Sequence, residues 1–243
     1  MLTPKPWKLE RVIWLLAALL ACVSISMLVV HGYQAALASD ENKGESNIAI
    51  MLIGTLIFHG LSLLLVGIFL REHRLTWSQA FGFKSPRPWR TLGLAVLTTI
   101  VVVPIALSLG QVSQFVLLKL GLVPKAQQAV QALQSAVSVS QQIYFAIVTI
   151  ILAPIVEEII FRGILYPSIK QSGYPTAAIW GTSLLFASTH SNLMIFVPLT
   201  FLAVILTFLY ETTDNLIAPI TAHALFNATN FFFLVYNTAH PPA

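Results

Sequence analysis

The chain has very little charge for its size. Of its 243 residues only 9% are Asp, Glu, Lys or Arg, while 57% are hydrophobic. Soluble domains carry about a quarter charged residues, so a chain this apolar cannot cover a water-exposed surface with polar groups. The shortage excludes an ordinary soluble enzyme, a disordered chain and a nucleic-acid-binding module. The expected surroundings are a lipid bilayer, with no nucleic acid as partner.

Cysteine is also scarce, because Cys22 is the single one in the sequence. One thiol forms neither a disulfide framework nor a cysteine-based zinc cage. Thirteen basic residues against nine acidic ones give a formal net charge of +4. In so apolar a chain, this excess is typical of the cytoplasmic loops of a membrane protein.

Long apolar runs fill most of the chain. A helix needs about 20 apolar residues to cross the hydrocarbon core. Runs near this length predict seven spans, at residues 12–30, 48–70, 92–118, 142–164, 176–189, 193–210 and 216–236. The third run contains Pro104 and Gly110, so it is either one kinked helix or a span with a turn. The sequence therefore predicts an all-α fold, a polytopic transmembrane helical bundle of about seven or eight spans.

The distribution of Lys and Arg predicts the orientation. Three basic residues precede the first run, and the loop after the second run carries five: Arg71, Arg74, Lys84, Arg87 and Arg90. Cytoplasmic loops are enriched in Lys and Arg, so we expect the N-terminus and this loop in the cytoplasm. The aromatic residues of the loop are candidates for the lipid interface: Trp77, Phe81, Phe83 and Trp89. We expect one integrated membrane domain, with a two-span region at 1–90 and a catalytic core at 91–243.

The adjacent Glu157 and Glu158 are not explained by the apolar runs. They directly follow the apolar run 143–156, and Arg162 comes four residues after Glu158. A carboxylate near the bilayer centre costs at least about 2.5 kcal/mol on insertion scales. Residues four apart share a helix face, which predicts an ion pair between Glu158 and Arg162. Glu157 points about 100° away and is the candidate base, unless the helix ends here among the lipid headgroups.

Two further polar clusters follow on neighbouring runs. Phe186 and His190 are four residues apart, and so are His223 and Asn227. Taken alone, a histidine near a helix end is usually a satisfied interfacial residue, and a His/Asn pair can simply join two helices. Together with the glutamate pair, however, they predict one convergent polar site. Sites of this kind inside a membrane mark catalysis or transport.

These residue types favour hydrolysis by an activated water. No serine or cysteine stands in a recognisable nucleophile turn. Glu157 would take the proton from water, with His190 helping to hold that water, and His223 with Asn227 would bind the oxyanion. A zinc site of Glu157, His190 and His223 is the alternative. We favour no cofactor, because the sequence has no His-Glu-x-x-His helix and Asn is a poor zinc ligand.

The three polar segments resemble a known family. Residues 151–163 are similar to the Glu-Glu-x-x-x-Arg signature of the type II CAAX prenyl endopeptidases. These enzymes belong to the group of CAAX proteases and bacteriocin-processing enzymes (CPBP), also called the ABI family. Residues 186–190 match its Phe-x-x-x-His motif, and residues 210–227 resemble its last motif. The motifs occur in order, and the resemblance covers roughly residues 144–233.

The resemblance implies an intramembrane endopeptidase that hydrolyses a peptide bond of a membrane-associated protein or peptide. It implies Glu157 as the water-activating base, His190 as its partner, and His223 with Asn227 as the oxyanion site. Supporting roles fall to Glu158, Arg162 and the motif residue Phe186. The family has been described both as metalloproteases and as glutamate-dependent, so metal dependence stays open. We expect a multi-pass protein of a bacterial cell membrane.

Two other functions compete with proteolysis. A non-catalytic membrane scaffold or immunity protein would retain the same fold, and a proton-coupled transporter would use the Glu/His cluster as a relay. The sequence shows no internal inverted repeat of the kind that many transporters carry.

One geometric difficulty concerns the site itself. If the spans alternate, Glu157 lies toward the cytoplasmic half of its helix and His190 near the outer end of the next. Either that next helix is tilted or starts deeper, or its predicted start is wrong.

Overall fold

The protein is built from helices. The computed structural model describes residues 2–36, 43–83, 87–134 and 138–240, which form nine helices without a strand. In chain order they are α1 (Leu9–Ala36), α2 (Lys43–Glu72), α3 (Trp77–Phe81), α4 (Pro88–Lys119), α5 (Gln128–Gln134), α6 (Val139–Gln171), α7 (Pro175–Thr189), α8 (Leu193–Thr213) and α9 (Ile217–Ala239). The expected all-α fold is confirmed.

Six of these helices are long and apolar enough to cross a membrane: α1, α2, α4, α6, α8 and α9. The chain is thus an integral, multi-pass membrane protein. The fifth run of the sequence is also a helix, α7, but it has only 15 residues. At 1.5 Å per residue it is about 22 Å long, which is shorter than the hydrocarbon core of about 30 Å.

The proline-containing run is a single helix. Pro104 lies inside the 32 residues of α4, which continue on both sides of it. Of the two possibilities that the sequence left open, one long helix is therefore present and a span with a turn is not. Four small or β-branched residues on α4 are buried where the helix packs against α8 and α9: Ala95, Thr99, Val102 and Ala106. The Thr99 hydroxyl lies within 3.3 Å of the Ala222 carbonyl oxygen on α9, next to His223.

Local sequence signals fix several helix ends. Thr76 and Gln79 form a reciprocal capping box at the start of α3, which satisfies amides that the first turn leaves free. Asn192 caps α8 by accepting hydrogen bonds from the next turn, and its amide donates to the Lys125 carbonyl oxygen. Proline occupies the first turn of α4 and α7, where its missing N–H costs nothing. The Asn192 cap, two residues after His190, sets where α8 begins.

The aromatic residues of the second loop do not share one environment. Trp89 is 82% exposed, which is compatible with the expected interfacial position. Phe81 at the end of α3 is fully buried and packs in the core with Leu216 and Ile164. The interfacial expectation is therefore wrong for Phe81. Short helix α3 folds back into the bundle because its cap and its following Gly82, with φ +69°, turn the chain inward.

Candidate active site

Helix α6 carries the first polar cluster and departs twice from α geometry. Two stretches, Ile147–Leu152 and Ile159–Leu165, are π-helical. The Ala153 amide donates to the Val148 carbonyl, and the Tyr166 amide donates to the Phe161 carbonyl, each spanning five residues. Such π-helical turns are rare in proteins as a whole, and those that do occur often lie at functional sites. Glu157 and Glu158 lie on the short α-helical segment between the two stretches.

Glu158 and Arg162 form an ion pair in the interior of the bundle. Arg162 Nη1 lies 2.8 Å from Glu158 Oε1, and the two side chains are 1% and 0% exposed. Arg162 Nη2 donates to the Ala203 carbonyl oxygen of α8 at 3.0 Å. Buried charges are tolerated when they are paired and hydrogen-bonded. The predicted pair is thus present, and it lies inside the protein rather than at a helix end among headgroups.

His223 connects this ion pair to the neighbouring carboxylate. Its Nδ1 lies 2.8 Å from Glu158 Oε1, and its Nε2 lies 3.8 Å from Glu157 Oε2. The two glutamates of α6 therefore face the two nitrogens of one imidazole on α9. The side chain of Glu157 is 29% exposed, whereas that of Glu158 is fully buried. Of the two carboxylates, Glu157 is the one with exposed surface.

Asn227 lies one turn beyond His223 on α9. Its Nδ2 donates to the Thr149 carbonyl oxygen of α6 at 2.8 Å. Thr149 belongs to the first π-helical stretch, and its hydroxyl bonds back to the Phe145 carbonyl. A carboxamide nitrogen carries two N–H groups, so one donor of Asn227 remains for a further acceptor. The half-buried amide is thus held in place and still able to donate.

Phe186 lies at the centre of the cluster. Its ring is fully buried and contacts four site neighbours: the guanidinium of Arg162 at 4.7 Å from the ring centroid, and the rings of Phe161, His190 and His223 at centroid distances of 5.3, 5.1 and 5.7 Å. A cation over an aromatic face is stabilised by the ring quadrupole. Phe186 therefore brings the Arg162 pair and both histidines around one side chain.

His190 is half-buried at the end of α7. Its Nδ1 lies 3.0 Å from the Phe186 carbonyl oxygen. A carbonyl only accepts, so Nδ1 carries the proton, and in the neutral ring Nε2 is the acceptor nitrogen. Within the described part of the chain, no hydrogen bond or ion pair joins His190 directly to Glu157.

The short α7 removes the difficulty over depth. Helices α6 and α7 form an antiparallel hairpin with a short turn, and Phe161 contacts Phe186 across it. Glu157 lies fourteen residues before Gln171, and His190 lies fifteen residues after Pro175. At 1.5 Å per residue, both lie about 21–22 Å from the hairpin turn. The predicted start of the fifth run was correct within one residue, whereas the predicted end of the fourth, at 164, was wrong because α6 continues to Gln171.

The alternative zinc set is not assembled. Among the described residues, no three His, Cys, Asp or Glu side chains come together as metal ligands. This includes Glu157, His190 and His223. As placed, these donors do not form a zinc site.

The fold and the cluster define a class: a polytopic helical membrane protein with a buried Glu–Arg–His network beside an accessible carboxylate. Residues 139–229 match the family model described as type II CAAX prenyl endopeptidase, Rce1-like. The matched region begins with α6 and contains all of the polar clusters. The match confirms the resemblance inferred from the motifs and supports the fold of a CAAX-type intramembrane protease for this region.

One curated relative is a bacterial protein. A stretch of 76 residues is 36% identical to the uncharacterized protein YpbD of Bacillus subtilis (strain 168). The stretch makes up 30% of this chain and 36% of that protein. The chain thus matches little more than a third of the length of this relative. No solved structure matches the chain.

Some contacts of the site lie beyond the reach of sequence spacing. Arg162 and Asn227 are held by the backbone carbonyl oxygens of Ala203 and Thr149. Backbone contacts of this kind cannot be predicted from the pattern of side chains. The hydrogen bond between His223 and Glu158 joins residues 65 positions apart. The two wide turns of α6 were not predicted either, because we found no pattern at Ile147–Leu152 or Ile159–Leu165 that distinguishes a π-helical turn from an α-helical one.

Proposed function

We propose that this protein is an intramembrane endopeptidase in which Glu157 activates the attacking water. The observation that carries the proposal is the position of His223 between two carboxylates. The buried Glu158 holds this imidazole, and the exposed Glu157 lies beside it. Glu158 fixes His223 at Nδ1, and Nε2 then faces Glu157 at 3.8 Å. A rigid imidazole beside a water-accessible base is the arrangement that acyl hydrolysis requires.

In the proposed reaction, Glu157 removes a proton from water as the oxygen attacks the carbonyl carbon of the scissile peptide bond. The Nε2 lone pair of neutral His190 accepts a hydrogen bond from the same water. The carbonyl π electrons move to oxygen, and the resulting oxyanion is stabilised by the remaining N–H of Asn227 and by Nε2–H of His223 in its imidazolium form, because Nδ1–H of that ring is bonded to Glu158. Glu157 then transfers its proton to the leaving amine nitrogen as the C–N bond breaks.

The substrate class follows from where the site lies. Glu157 and His190 are about 21–22 Å along their helices from the α6–α7 turn, so the peptide bond must be brought to the interior of the bundle. We propose a peptide or protein associated with the bilayer as the substrate, and a bacterial cell membrane with a cytoplasmic N-terminus as the setting. The CAAX-type family match supports this class.

The test compares Glu157→Gln with wild type in proteoliposomes. Wild type should cleave a membrane-anchored peptide, and Glu157→Gln should lose cleavage because an amide cannot accept the proton of water. Glu72→Gln is the matched control, since Glu72 is a half-exposed glutamate paired with Arg11 away from the site. The substrate is sought by comparing peptide termini of membrane proteins in cells that carry wild type or Glu157→Gln. Equal cleavage by both proteins, or wild-type phenotypic rescue by Glu157→Gln, would refute the proposal.

Metal dependence is tested separately. We propose a metal-free reaction, so purified active protein should contain less than stoichiometric zinc and retain its activity after chelation. Stoichiometric zinc that is lost together with activity would overturn this part of the proposal.

A further inference from the structure

The segment before α1 lies across the end of the bundle where α6 turns into α7. The hydrogen bonds of this N-terminal strap, residues 2–8, include those from Leu2 N to Glu211 Oε2 (3.3 Å), from Lys5 Nζ to Asp214 Oδ1 (3.3 Å) and from Trp7 Nε1 to the Gly163 carbonyl oxygen (3.1 Å). Lys5 and Trp7 are both buried. The strap therefore contacts α6 at the residue directly after Arg162.

Helix α3 contacts the same residue with a side chain. The ring of Phe81 lies so close to Gly163 that a Cβ added there would be 2.7 Å from Phe81 Cε1 and 2.9 Å from Cδ1. The Phe81 carbonyl oxygen accepts a hydrogen bond from the Leu216 amide at 2.9 Å, which ties α3 to the start of α9. Gly163 is thus enclosed by Phe81, while its carbonyl is held by Trp7.

Gly163 lies in the second π-helical stretch of α6. The wide turn at Gly163 is one in which the Tyr166 amide reaches back to the Phe161 carbonyl. π-helical turns are rare, and contacts from other parts of the fold contribute to the backbone position here. At Gly163 these contacts include the Phe81 ring, the indole N–H of Trp7 and, at 3.5 Å from an added Cβ, Leu216 Cδ2.

The position of this backbone is passed on to the site through buried groups. Arg162 precedes Gly163, and its guanidinium reaches both Glu158 and the Ala203 carbonyl at hydrogen-bond distance. Glu158 in turn holds His223. A buried ion pair has no water with which to replace a stretched bond, so a displacement at Gly163 moves or breaks this network.

We propose that Trp7 and Phe81 are positioning residues that set the Arg162–Glu158–His223 network through Gly163. The proposal deepens the proposed function and rests on it for the effect on catalysis. Its structural half, the orientation of His223, holds or fails whether or not the protein is a protease. The strap and α3 would then position catalytic groups from which both are distant in sequence.

The decisive variant is Gly163→Ala, whose new methyl group meets the Phe81 ring. We expect kcat to fall about tenfold to a hundredfold, with KM changed by less than about twofold because substrate contacts are intact. In spectra of ¹⁵N-histidine-labelled protein, the His223 signals should shift, since their Nδ1 partner moves. Gly60→Ala is the control, because Gly60 is a helical glycine at which an added Cβ meets no atom within 4 Å, and it should leave kcat and the spectrum unchanged.

The double variant Gly163→Ala with Phe81→Ala tests the route. Removing the ring makes room for the added methyl group. The kcat of the double variant should therefore lie within about threefold of that of Phe81→Ala alone, and its His223 signals should lie close to those of Phe81→Ala alone. Trp7→Phe keeps an aromatic ring but lacks the N–H donor. It should lower kcat by about threefold or more and shift His223 in the same direction.

The outcomes separate the two proposals. Unchanged His223 signals in both Gly163→Ala and Trp7→Phe would overturn the positioning role, even if wild type is an active protease. A shift in Gly163→Ala that Phe81→Ala does not reverse would also overturn it. Shifted and rescued signals in a protein whose wild type cleaves nothing would support the positioning of His223 and refute the proteolytic function instead.

Discussion

At the scale of single residues, the site depends on a buried charge pair whose members have different tasks. Arg162 and Glu158 have no contact with water, and their charges are balanced by each other, by His223 and by a backbone carbonyl. Glu157, one position earlier, keeps part of its side chain exposed. Adjacent glutamates thus occupy different environments because successive helical residues point about 100° apart.

Removing one member of the buried pair should destabilise the protein strongly. Arg162→Leu leaves the buried Glu158 carboxylate without its cation, which costs about 3–5 kcal/mol. Adding Glu158→Gln should recover part of this loss, because the uncompensated charge is removed. Chemical unfolding in detergent measures the free energy of unfolding of the single and the double variant. Arg11→Leu breaks the half-exposed pair with Glu72 and should cost at most about 1 kcal/mol; an equal loss in both single variants would contradict the burial argument.

The amide of Asn227 gives a second prediction at this scale. Asn227→Leu should lower kcat by about a hundredfold or more with little change in KM, as expected for loss of an oxyanion donor. Asn230→Leu is the matched control, since Asn230 on the same helix donates to the Phe226 carbonyl of its own helix and, among the described residues, to no other helix. Proteoliposome kinetics on one peptide compare the two. A change in KM alone would assign Asn227 to binding.

At the scale of helices, close packing of α4 against α8 and α9 keeps the site together. Ala95 has no exposed surface and Thr99 joins α4 to α9 beside His223. Small side chains allow helix backbones to approach closely in membranes. The position of α9, and therefore of His223 and Asn227, depends on these small residues of a helix that contributes no group to the site.

Enlarging Ala95 should therefore disturb the bundle. Ala95→Leu forces α4 away from its neighbours, and overpacking of this kind costs about 1–3 kcal/mol. Val96→Leu, at the adjacent and 44% exposed position, should change stability by no more than about 0.5 kcal/mol. Thermal unfolding in one detergent compares the two variants. Equal stability would show that α4 is not packed as described.

The sequence predicts the elements better than their ends and mutual contacts. Apolar runs long enough to span a bilayer identify the helices, because the membrane requires such runs. The ion pair of Glu158 with Arg162 is also predictable, since four-residue spacing is local. The 164 boundary was wrong because polar residues at this end of α6 are bonded inside the protein, which composition does not reveal. Arg162 donates to the Ala203 carbonyl of α8, and Tyr166 and Lys170 both donate to Glu211 of α8. The environment of Phe81 was misjudged for a similar reason: its neighbours, Gly163 and Leu216, are distant in sequence.

At the scale of the whole molecule, residues outside the family match complete the structure around the site. The matched region ends at residue 229 and starts at 139. The strap, α3 and α4 all precede it, yet they contact Gly163, Leu216 and Ala222. The division into 1–90 and 91–243 stays a prediction, although the strap and α3 pack directly on α6 and α9.

The 15-residue length of α7 has a consequence for the lipid around the protein. It falls about 8 Å short of a typical hydrocarbon thickness of about 30 Å. A bilayer adjusts to a short helix by becoming thinner beside it, which brings headgroups and water nearer to His190. Turnover should then depend on acyl-chain length, being highest in thin bilayers and falling as the lipids lengthen. Proteoliposomes made from phosphatidylcholines of increasing chain length measure this; equal turnover in all of them would contradict it. Hydrophobic mismatch would thus make membrane thickness a regulator of this site.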